Sequence, residues 1–476
     1  MKLAIHTDIL SKRWRDLWKL NPVLDFRCYP FLYTEPLDYQ CCPSPTIEPI
    51  VDYSFIDRCL SLHKSSTIRK LTVIALVDRY PIPNPDIENW VNFAIAKHVR
   101  FIEFYWQGND MSLFFFKLPN SFFFVNTEWL EQLVLSRVDF CPPTKLDCEF
   151  RGSVSLKKLT LFYSYLTDQA LEAIVSKCSA LESLALHFCQ GLYMVKVSSM
   201  TLKEFVLYQV NGGREFSIEV DAPNLVTLKT WACVNMLCIL NPCRHLEVTL
   251  FDWCITRLEK SNARTLLGQL AEIEVLAASE WIIEFVIEEY YLNGDRCTLF
   301  KNLKEFYILA SPMKEEYNVV MFLAFLEDCP VLQKIQIDFR RSCWDGIHKK
   351  LPTYRDAKYP SVFSNEAGDD CKDLDTYFLK LEGGERLPQV GLLHRVKTIE
   401  LLYFSGYKCQ MELVKCLLEK AVSLETLSLV FDDPEQYFEE ECWLRNGHVP
   451  FNERELIREQ VSLFTRVSPH AQIMIN

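Results

Sequence analysis

Leu130-Glu131-Gln132-Leu133-Val134-Leu135 returns, with different spacers, as Leu156-Lys157-Lys158-Leu159-Thr160-Leu161 and Leu181-Glu182-Ser183-Leu184-Ala185-Leu186. It returns again as Leu202-Lys203-Glu204-Phe205-Val206-Leu207, and a fifth copy, Leu225-Val226-Thr227-Leu228-Lys229-Thr230, carries Thr in its last apolar slot. Successive starts lie 26, 25, 21 and 23 residues apart. One such frame means little in a chain that is 49% hydrophobic; five at near-regular spacing mean a repeat. The alternating end of each frame reads as a short strand with one buried face. A single strand cannot bury that face alone, so neighbouring repeats must stack and share a core.

The spacing falls within the ~20–29-residue period of leucine-rich repeats (LRRs). Weaker copies extend the array upstream, at Ile68-x-x-Leu71-x-Val73 and Val99-x-x-Ile102-x-Phe104. Downstream are Cys243…Val248, Leu270…Val275, Leu303…Ile308, Leu332…Ile337, Val396…Leu401 and Leu424…Leu429. Helices are expected between some strands. Thr167 to Lys177 opens on an N-capping Thr and places Ala170, Leu171, Ile174 and Val175 on one side. Tyr317 to Leu326 and Met411 to Leu418 are two more. The expected fold is α/β: a curved leucine-rich-repeat solenoid with parallel strands on the concave face and helices and loops on the convex side.

Breaks in the period mark other segments. Between Ile337 and Val396 no frame occurs, and Pro352, Pro360, Gly383, Gly384 and Pro388 with several aspartates read as a long loop. Pro30 to Pro49 reads as a linker, and Asp432 to Glu441 as an acidic, exposed stretch.

Composition narrows the function. Net charge is −12, which argues against nucleic acid, whose binders present a basic face. Glycine is scarce, 14 of 476, which disfavours glycine-rich phosphate cradles. No apolar run approaches the ~18 residues of a membrane span. Leu3-Ala4-Ile5 is too short for the core of a secretory signal. The 19 cysteines are therefore expected as reduced thiols of a cytoplasmic or nuclear protein. Cys233, Cys238 and Cys243 lack the CxxC pairing of a zinc site, so no metal and no cofactor is expected. There is no GxSxG, GxxxxGK[ST], HExxH or GxGxxG, so no catalytic residue is assigned and the chain is not expected to be an enzyme.

Near the start, Leu10, Trp14, Leu17 and Trp18 recur at i, i+4, i+7 and i+8, one face of an amphipathic helix, with Lys12, Arg13, Arg15 and Asp16 between them. The string Leu10-Ser11-Lys12-Arg13-Trp14-Arg15-Asp16-Leu17-Trp18 resembles the closing element of the F-box in plant F-box proteins, and Asn21 to Phe26 resembles the usual exit from that motif. His394 to Leu401, Phe404-Ser405-Gly406, Glu412 to Lys420 and Leu424-Glu425 resemble the C-terminal FBD domain. Together with the repeats, the chain resembles the plant F-box/FBD/LRR-repeat family, with Met1 falling where the middle of an F-box would be, hence an N-terminally truncated F-box. The resemblance implies a short helical F-box remnant over 1–27 and an entry linker over 28–60. It further implies the solenoid over 61–340, a loop-rich insertion over 341–393 and an FBD-like region completing the array over 394–476.

The resemblance also implies a role. In the family the F-box docks a Skp-type adaptor and through it a cullin–RING ubiquitin ligase of the SCF (Skp–cullin–F-box) type, while the repeats select a protein substrate. Leu10, Trp14, Leu17 and Trp18 are then the adaptor-docking candidates. A stand-alone LRR scaffold that has lost ligase docking is the alternative. Strand alternation turns the residue after each frame outward, giving the column Tyr105, Ser136, Phe162, His187, Tyr208 and Trp231. Its aromatic members are the candidate substrate-binding residues of the concave face, because rings of this kind dominate interaction hot spots. The same alternation predicts that His187 and Phe188 face opposite ways.

Overall fold

A computed structural model describes residues 17–28, 53–76, 84–107, 115–119, 122, 127–140, 153–208, 216–231, 234–241, 244–249, 272–279, 300–309, 319, 322–323, 325–326, 328–339, 391–431 and 451–475. The chain divides into two compact units, Met1–Leu266 and Leu267–Asn476.

The first unit begins with a 3-10 turn at Leu17–Leu20 and continues through β1 (Val23–Cys28), α1 (Ser54–Leu62), β2 (Lys70–Leu76), α2 (Asn84–Ala96) and β3 (Phe101–Gln107). There follow β4 (Phe116–Lys117), β5 (Gln132–Ser136), β6 (Val138–Asp139), β7 (Lys158–Phe162), α3 (Asp168–Lys177), β8 (Ser183–His187) and β9 (Met194–Ser198). It closes with β10 (Glu204–Tyr208), β11 (Phe216–Asp221), β12 (Thr227–Trp231), β13 (Val234–Ile239) and β14 (His245–Thr249). The main sheet runs β1-β2-β3-β5-β7-β8-β10-β12-β14, all parallel. This is a leucine-rich-repeat solenoid, and register shows why. Leu133 pairs with Leu159, Leu159 with Leu184, Leu184 with Phe205 and Phe205 with Leu228. Each apolar frame position thus lies beside its counterpart, and these side chains are almost fully buried.

A backbone device repeats with the frame. The carbonyl of the second frame residue accepts two N–H groups of the next repeat: Glu131 O from Lys157 and Lys158, Lys157 O from Glu182 and Ser183, Glu182 O from Lys203 and Glu204. Pro22 O does the same for Arg69 and Lys70. Asn21-x-x-Leu24-x-Phe26 is therefore itself a frame, with Leu24 opposite Leu71 and Phe26 opposite Val73. Residues read from sequence as the exit of the F-box-like segment form the first strand of the array.

The second layer differs from the helices and loops expected. α3 is present, with Thr167 Oγ1 accepting the Ala170 N–H at 3.2 Å. Further on, however, β9, β11 and β13 form a second parallel sheet in the order β13-β11-β9, and β4 pairs β6. Val195, Val197, Ile218, Val220, Leu237 and Ile239 are its buried residues. These segments alternate every second residue, so they bury a strand face where a helix would need a 3.6-residue stripe.

The second unit contains β15 (Val275–Ser279), β16 (Glu305–Leu309), β17 (Lys334–Asp338), β18 (Thr398–Phe404), α4 (Lys408–Lys420), β19 (Thr426–Phe431), α5 (Phe451–Leu463) and β20 (Gln472–Ile475). Its parallel sheet runs β15-β16-β17-β18-β19-β20. The same carbonyl clamp recurs at Glu274, Lys304, Gln333 and Lys397. One expected frame is out of register. Leu276 pairs with Phe306 and Ala278 with Ile308, so the frame is Ile273-x-x-Leu276-x-Ala278, three residues later than Leu270…Val275. Val275 lies opposite Glu305, on the outward side. Small Ala278 fills the slot that a search for large apolar residues passes over. Helical Val319, Phe322, Leu323, Phe325 and Leu326 are buried in the stretch read as a helix, and Met411 to Leu418 falls within α4. The insertion read over 341–393 lies outside the described residues up to 390, as do the linker Pro30 to Pro49 and the acidic stretch after Asp432.

Candidate functional site

The residue that follows each frame opens the site. Tyr105 follows its repeat's frame on β3, Ser136 on β5, Phe162 on β7, His187 on β8 and Tyr208 on β10. The register sets Ser136 beside Phe162, Phe162 beside His187 and His187 beside Tyr208. Tyr105, Phe162, His187 and Tyr208 are half-buried. Trp231 continues the column on β12, opposite Tyr208; its side chain is not among those described.

Ser136 departs from the column. It is fully buried; its Oγ accepts the Trp106 N–H at 2.5 Å and donates to the Trp106 carbonyl at 3.3 Å. The gap it leaves lets rings meet across it. Tyr105 and Phe162 pack edge to face, centroids 5.3 Å apart. Phe162 stacks on His187 at 4.6 Å, and His187 lies 6.0 Å from Tyr208.

A second row was missed by strict alternation. Arg137, Tyr163 and Phe188 have φ of 53°, 47° and 54°, the left-handed region, in three consecutive repeats. Each turns the chain directly after its strand, while its N–H still reaches the next repeat: Arg137 to Phe162 O, Tyr163 to His187 O, Phe188 to Tyr208 O. The kink cancels one step of alternation. His187 and Phe188 consequently do not face opposite ways, since the Phe188 ring comes within 5.1 Å of Tyr208, which His187 also approaches. Tyr163 stacks on Phe188 at 4.6 Å and 7°, and the Arg137 guanidinium lies 5.6 Å from the Tyr163 ring. Six rings and a guanidinium make one unbroken chain of contacts. A left-handed conformation costs a non-glycine residue roughly 1–2 kcal/mol, and such strain concentrates at functional surfaces.

Electrostatically the strip carries the Arg137 guanidinium at one end. Burial pushes the His187 pKa below its ordinary value, so its imidazole stays neutral at pH 7. Behind it, burial raises the Cys189 thiol to about 12, and its Sγ–H donates to Leu161 O at 3.5 Å, so this cysteine is no nucleophile. Nearby charges are internally engaged: Lys70 pairs Glu103 at 3.0 Å, and Ser183 Oγ donates to Glu204 at 2.7 Å. Among the described residues no three His, Cys, Asp or Glu side chains come together to hold a metal. Two cavities among the described residues, of about 20 and 90 Å³, are lined by residues outside the ring strip. No helix among the described residues is long and apolar enough to cross a membrane.

Of the adaptor-docking candidates, Leu10 and Trp14 lie outside the described residues. Leu17 is 50% exposed and Trp18 only 6%, so adjacent residues of the 3-10 turn divide between solvent and core. The turn is tied to the array by Lys64 N–H to Lys19 O at 2.8 Å and by His63 Nε2 to Asn21 O at 2.9 Å.

Comparison with known proteins places this architecture. A family model described as At1g61320/AtMIF1, LRR domain, matches residues 59–353. Three Arabidopsis thaliana proteins are similar. F-box/LRR-repeat protein 13 is 25% identical over 91% of this chain and 86% of its own length. F-box/LRR-repeat protein At3g03360 is 25% identical over 71% of this chain and 66% of its own. F-box/FBD/LRR-repeat protein At5g56420 is 31% identical over 58% of this chain and 60% of its own. The chain thus spans less than two thirds of the last two.

Proposed function

The chain belongs to the plant F-box/LRR-repeat family, and on that premise we propose that it is a non-catalytic substrate-recognition subunit of an SCF-type ubiquitin ligase. The N-terminal segment containing Leu17 and Trp18 faces the Skp-type adaptor, and the ring strip of the first unit receives the protein substrate. No step of bond chemistry is assigned to the chain. It raises the local concentration of substrate beside the charged conjugating enzyme. The observation that carries the substrate half of this reading is the unbroken ring chain from Tyr105 to Arg137. Of the two candidates in the 3-10 turn, the exposure of Leu17 favours it as the adaptor contact, while buried Trp18 anchors the segment to the array. Action in the cytoplasm or nucleus, where such ligases work, is part of the same proposal.

The test is capture of a Skp-type adaptor by the purified chain, alongside the same chain carrying a complete F-box at its N-terminus. Saturable adaptor binding by either form is expected, weakened by Leu17→Asp. Binding only by the form with the complete F-box identifies the shorter chain as a stand-alone scaffold. Binding by neither overturns the ligase reading.

A further inference from the structure

The turn that carries Leu17 and Trp18 is fastened by the end of α1. Its own closing bond is Asn21 N–H to Trp18 O at 3.1 Å. Two more reach it from outside: Lys64 N–H donates to Lys19 O at 2.8 Å, and the His63 ring donates from Nε2 to Asn21 O at 2.9 Å. A carbonyl only accepts, so Nε2 holds the ring's proton and Nδ1 is bare. His63 is 6% exposed, and its Nδ1 has no hydrogen-bond partner among the described residues. The Phe93 ring of α2 stands edge-on to it, centroids 6.4 Å apart. A buried nitrogen without a partner costs stability, so packing alone favours an apolar side chain here. What leucine would lack is the bond to Asn21. The site also resists a second proton, which would sit on Nδ1 with no acceptor. Burial first, and then the Lys97 charge, keep the ring's pKa below its ordinary value, although the Asn21 carbonyl pulls the other way. Lys97 is itself held by Ser65 O at 2.7 Å. On the other surrounding elements, Lys19 of the turn lies over the Trp18 ring, Lys64 follows His63 in the chain, and Asp57 of α1 accepts from Trp90 Nε1. Asp86 lies in the first turn of α2, far along that helix from Phe93.

We propose that His63 is a positioning residue of the adaptor-docking segment: its singly protonated ring clips the turn Leu17–Leu20 to the end of α1, and a second proton releases that turn. This rests on the reading of that segment as the adaptor-facing one. A doubly protonated ring satisfies both N–H groups only in water, so it leaves its pocket and gives up Asn21 O. Of the two bonds from α1, only that of Lys64 then remains. Clipped, exposed Leu17 is presented at a fixed place on the first repeat. Released, it is not, and adaptor affinity falls.

The full chain is labelled with fluorotryptophan, and the Trp18 fluorine NMR signal is assigned by its loss in Trp18→Phe. Wild type, His63→Gln and His63→Leu are compared between about pH 7.5 and about pH 5.5, on either side of the ordinary histidine pKa. Each pH unit below ~6.5 favours the released form by up to about tenfold. In wild type the released share of Trp18 should rise ~5-fold or more over that range, and capture of a Skp-type adaptor, taken relative to His63→Gln, should fall by a similar factor. His63→Gln offers an amide N–H to Asn21 O and does not titrate, so it stays clipped throughout. His63→Leu fills the pocket without the bond, so its released share is raised at neutral pH and does not respond to acid. An acid response kept by His63→Gln, no response in wild type, or a wild-type signal in His63→Leu overturns the proposal. If acid releases Trp18 but no form captures adaptor, the ligase reading has failed and the clip stands. If adaptor is captured equally at both pH values while Trp18 stays put, the clip has failed and the ligase reading stands.

Discussion

The two units share one frame and present different faces. In Met1–Leu266 and in Leu267–Asn476 alike, mostly large apolar side chains fill the inward slots, and the second-residue carbonyl clamps two N–H groups of the next repeat. The column after the frame differs. In the first unit it reads Arg27, Ile74, Tyr105, Ser136, Phe162, His187, Tyr208, Trp231, Thr249, with rings gathered at its middle; in the second, Ser279, Leu309, Asp338, Leu402, Val430. The second unit also has a left-handed non-glycine residue after the frame, Tyr403 at φ 56°, where the β18–β19 register shifts, but it stands alone there among the described residues. The lesson is a division of labour. Inward positions are held by stacking and take apolar residues, whereas the half-buried ring positions of the outward column, unlike buried Ser136 and Asp338, are open to carry recognition.

The largest effect should come from breaking the frame. Phe205→Ala empties a fully buried slot and should cost ~3–5 kcal/mol in denaturant unfolding. Hydrogen exchange should show protection lost first in β8, β10 and β12, because each repeat contacts only its neighbours. Equal loss in β16 to β19 would contradict that picture.

Glycine sharpens the comparison. Gly191, at φ +93°, has the Leu166 carbonyl oxygen 2.6 Å from where a Cβ would sit. Gly406, at φ +72°, would meet only the end of the flexible Ile457 side chain. Alanine at either should cost ~1–3 kcal/mol, with Gly191→Ala at the upper end because backbone cannot yield. The reverse order in melting experiments would be a contradiction. Next in size, Thr167→Ala removes the α3 cap and should cost about 1 kcal/mol.

Acid should separate the units. Burial lowers the pKa of both His63 and His187, and Lys97 lowers that of His63 further. Below pH ~6.5 the unfolded chain takes up protons that the folded chain refuses. These groups therefore leave stability unaffected above that pH and reduce it as pH falls through their folded values. The combined His63→Gln, His187→Gln variant should flatten that slope; an unchanged slope would mean other groups set it. The smallest effect is expected at the paired second-frame residues. Glu182–Lys203, Glu274–Lys304 and Lys397–Glu425 are exposed ion pairs at 2.9–3.0 Å between adjacent repeats. Each is worth ~0–1 kcal/mol, so Glu182→Gln should shift unfolding barely at all.

Much of this was legible because the solenoid's core is written at fixed spacing. Leu130 to Thr230 reads directly as stacked strands, and Thr167 announces its helix. The Ile273 frame was misplaced because Ala278 occupies an apolar slot and apolar Val275 faces out. The N-terminal strand was hidden because Asn21-Pro22 opens its frame with a polar residue. The alternating charge at position two (Arg100, Glu131, Lys157, Glu182, Lys203) was present in the letters but has meaning only once strands are adjacent. The outward column Tyr105, Phe162, His187, Tyr208 followed from period-two alternation. Its partner row did not, because a left-handed turn at Arg137, Tyr163 or Phe188 has no signature when no glycine marks it.

The most direct test compares faces. The wild-type chain, a Phe162→Ala/Tyr208→Ala variant and a Gln336→Ala/Glu400→Ala variant are expressed in plant cells with the proteasome inhibited, and the proteins that co-purify are quantified. The account predicts that a specific set of proteins is lost from the first-unit variant and kept by the second-unit variant, with both variants folded. Retention of every partner by the Phe162→Ala/Tyr208→Ala variant, or equal loss from both, would contradict it.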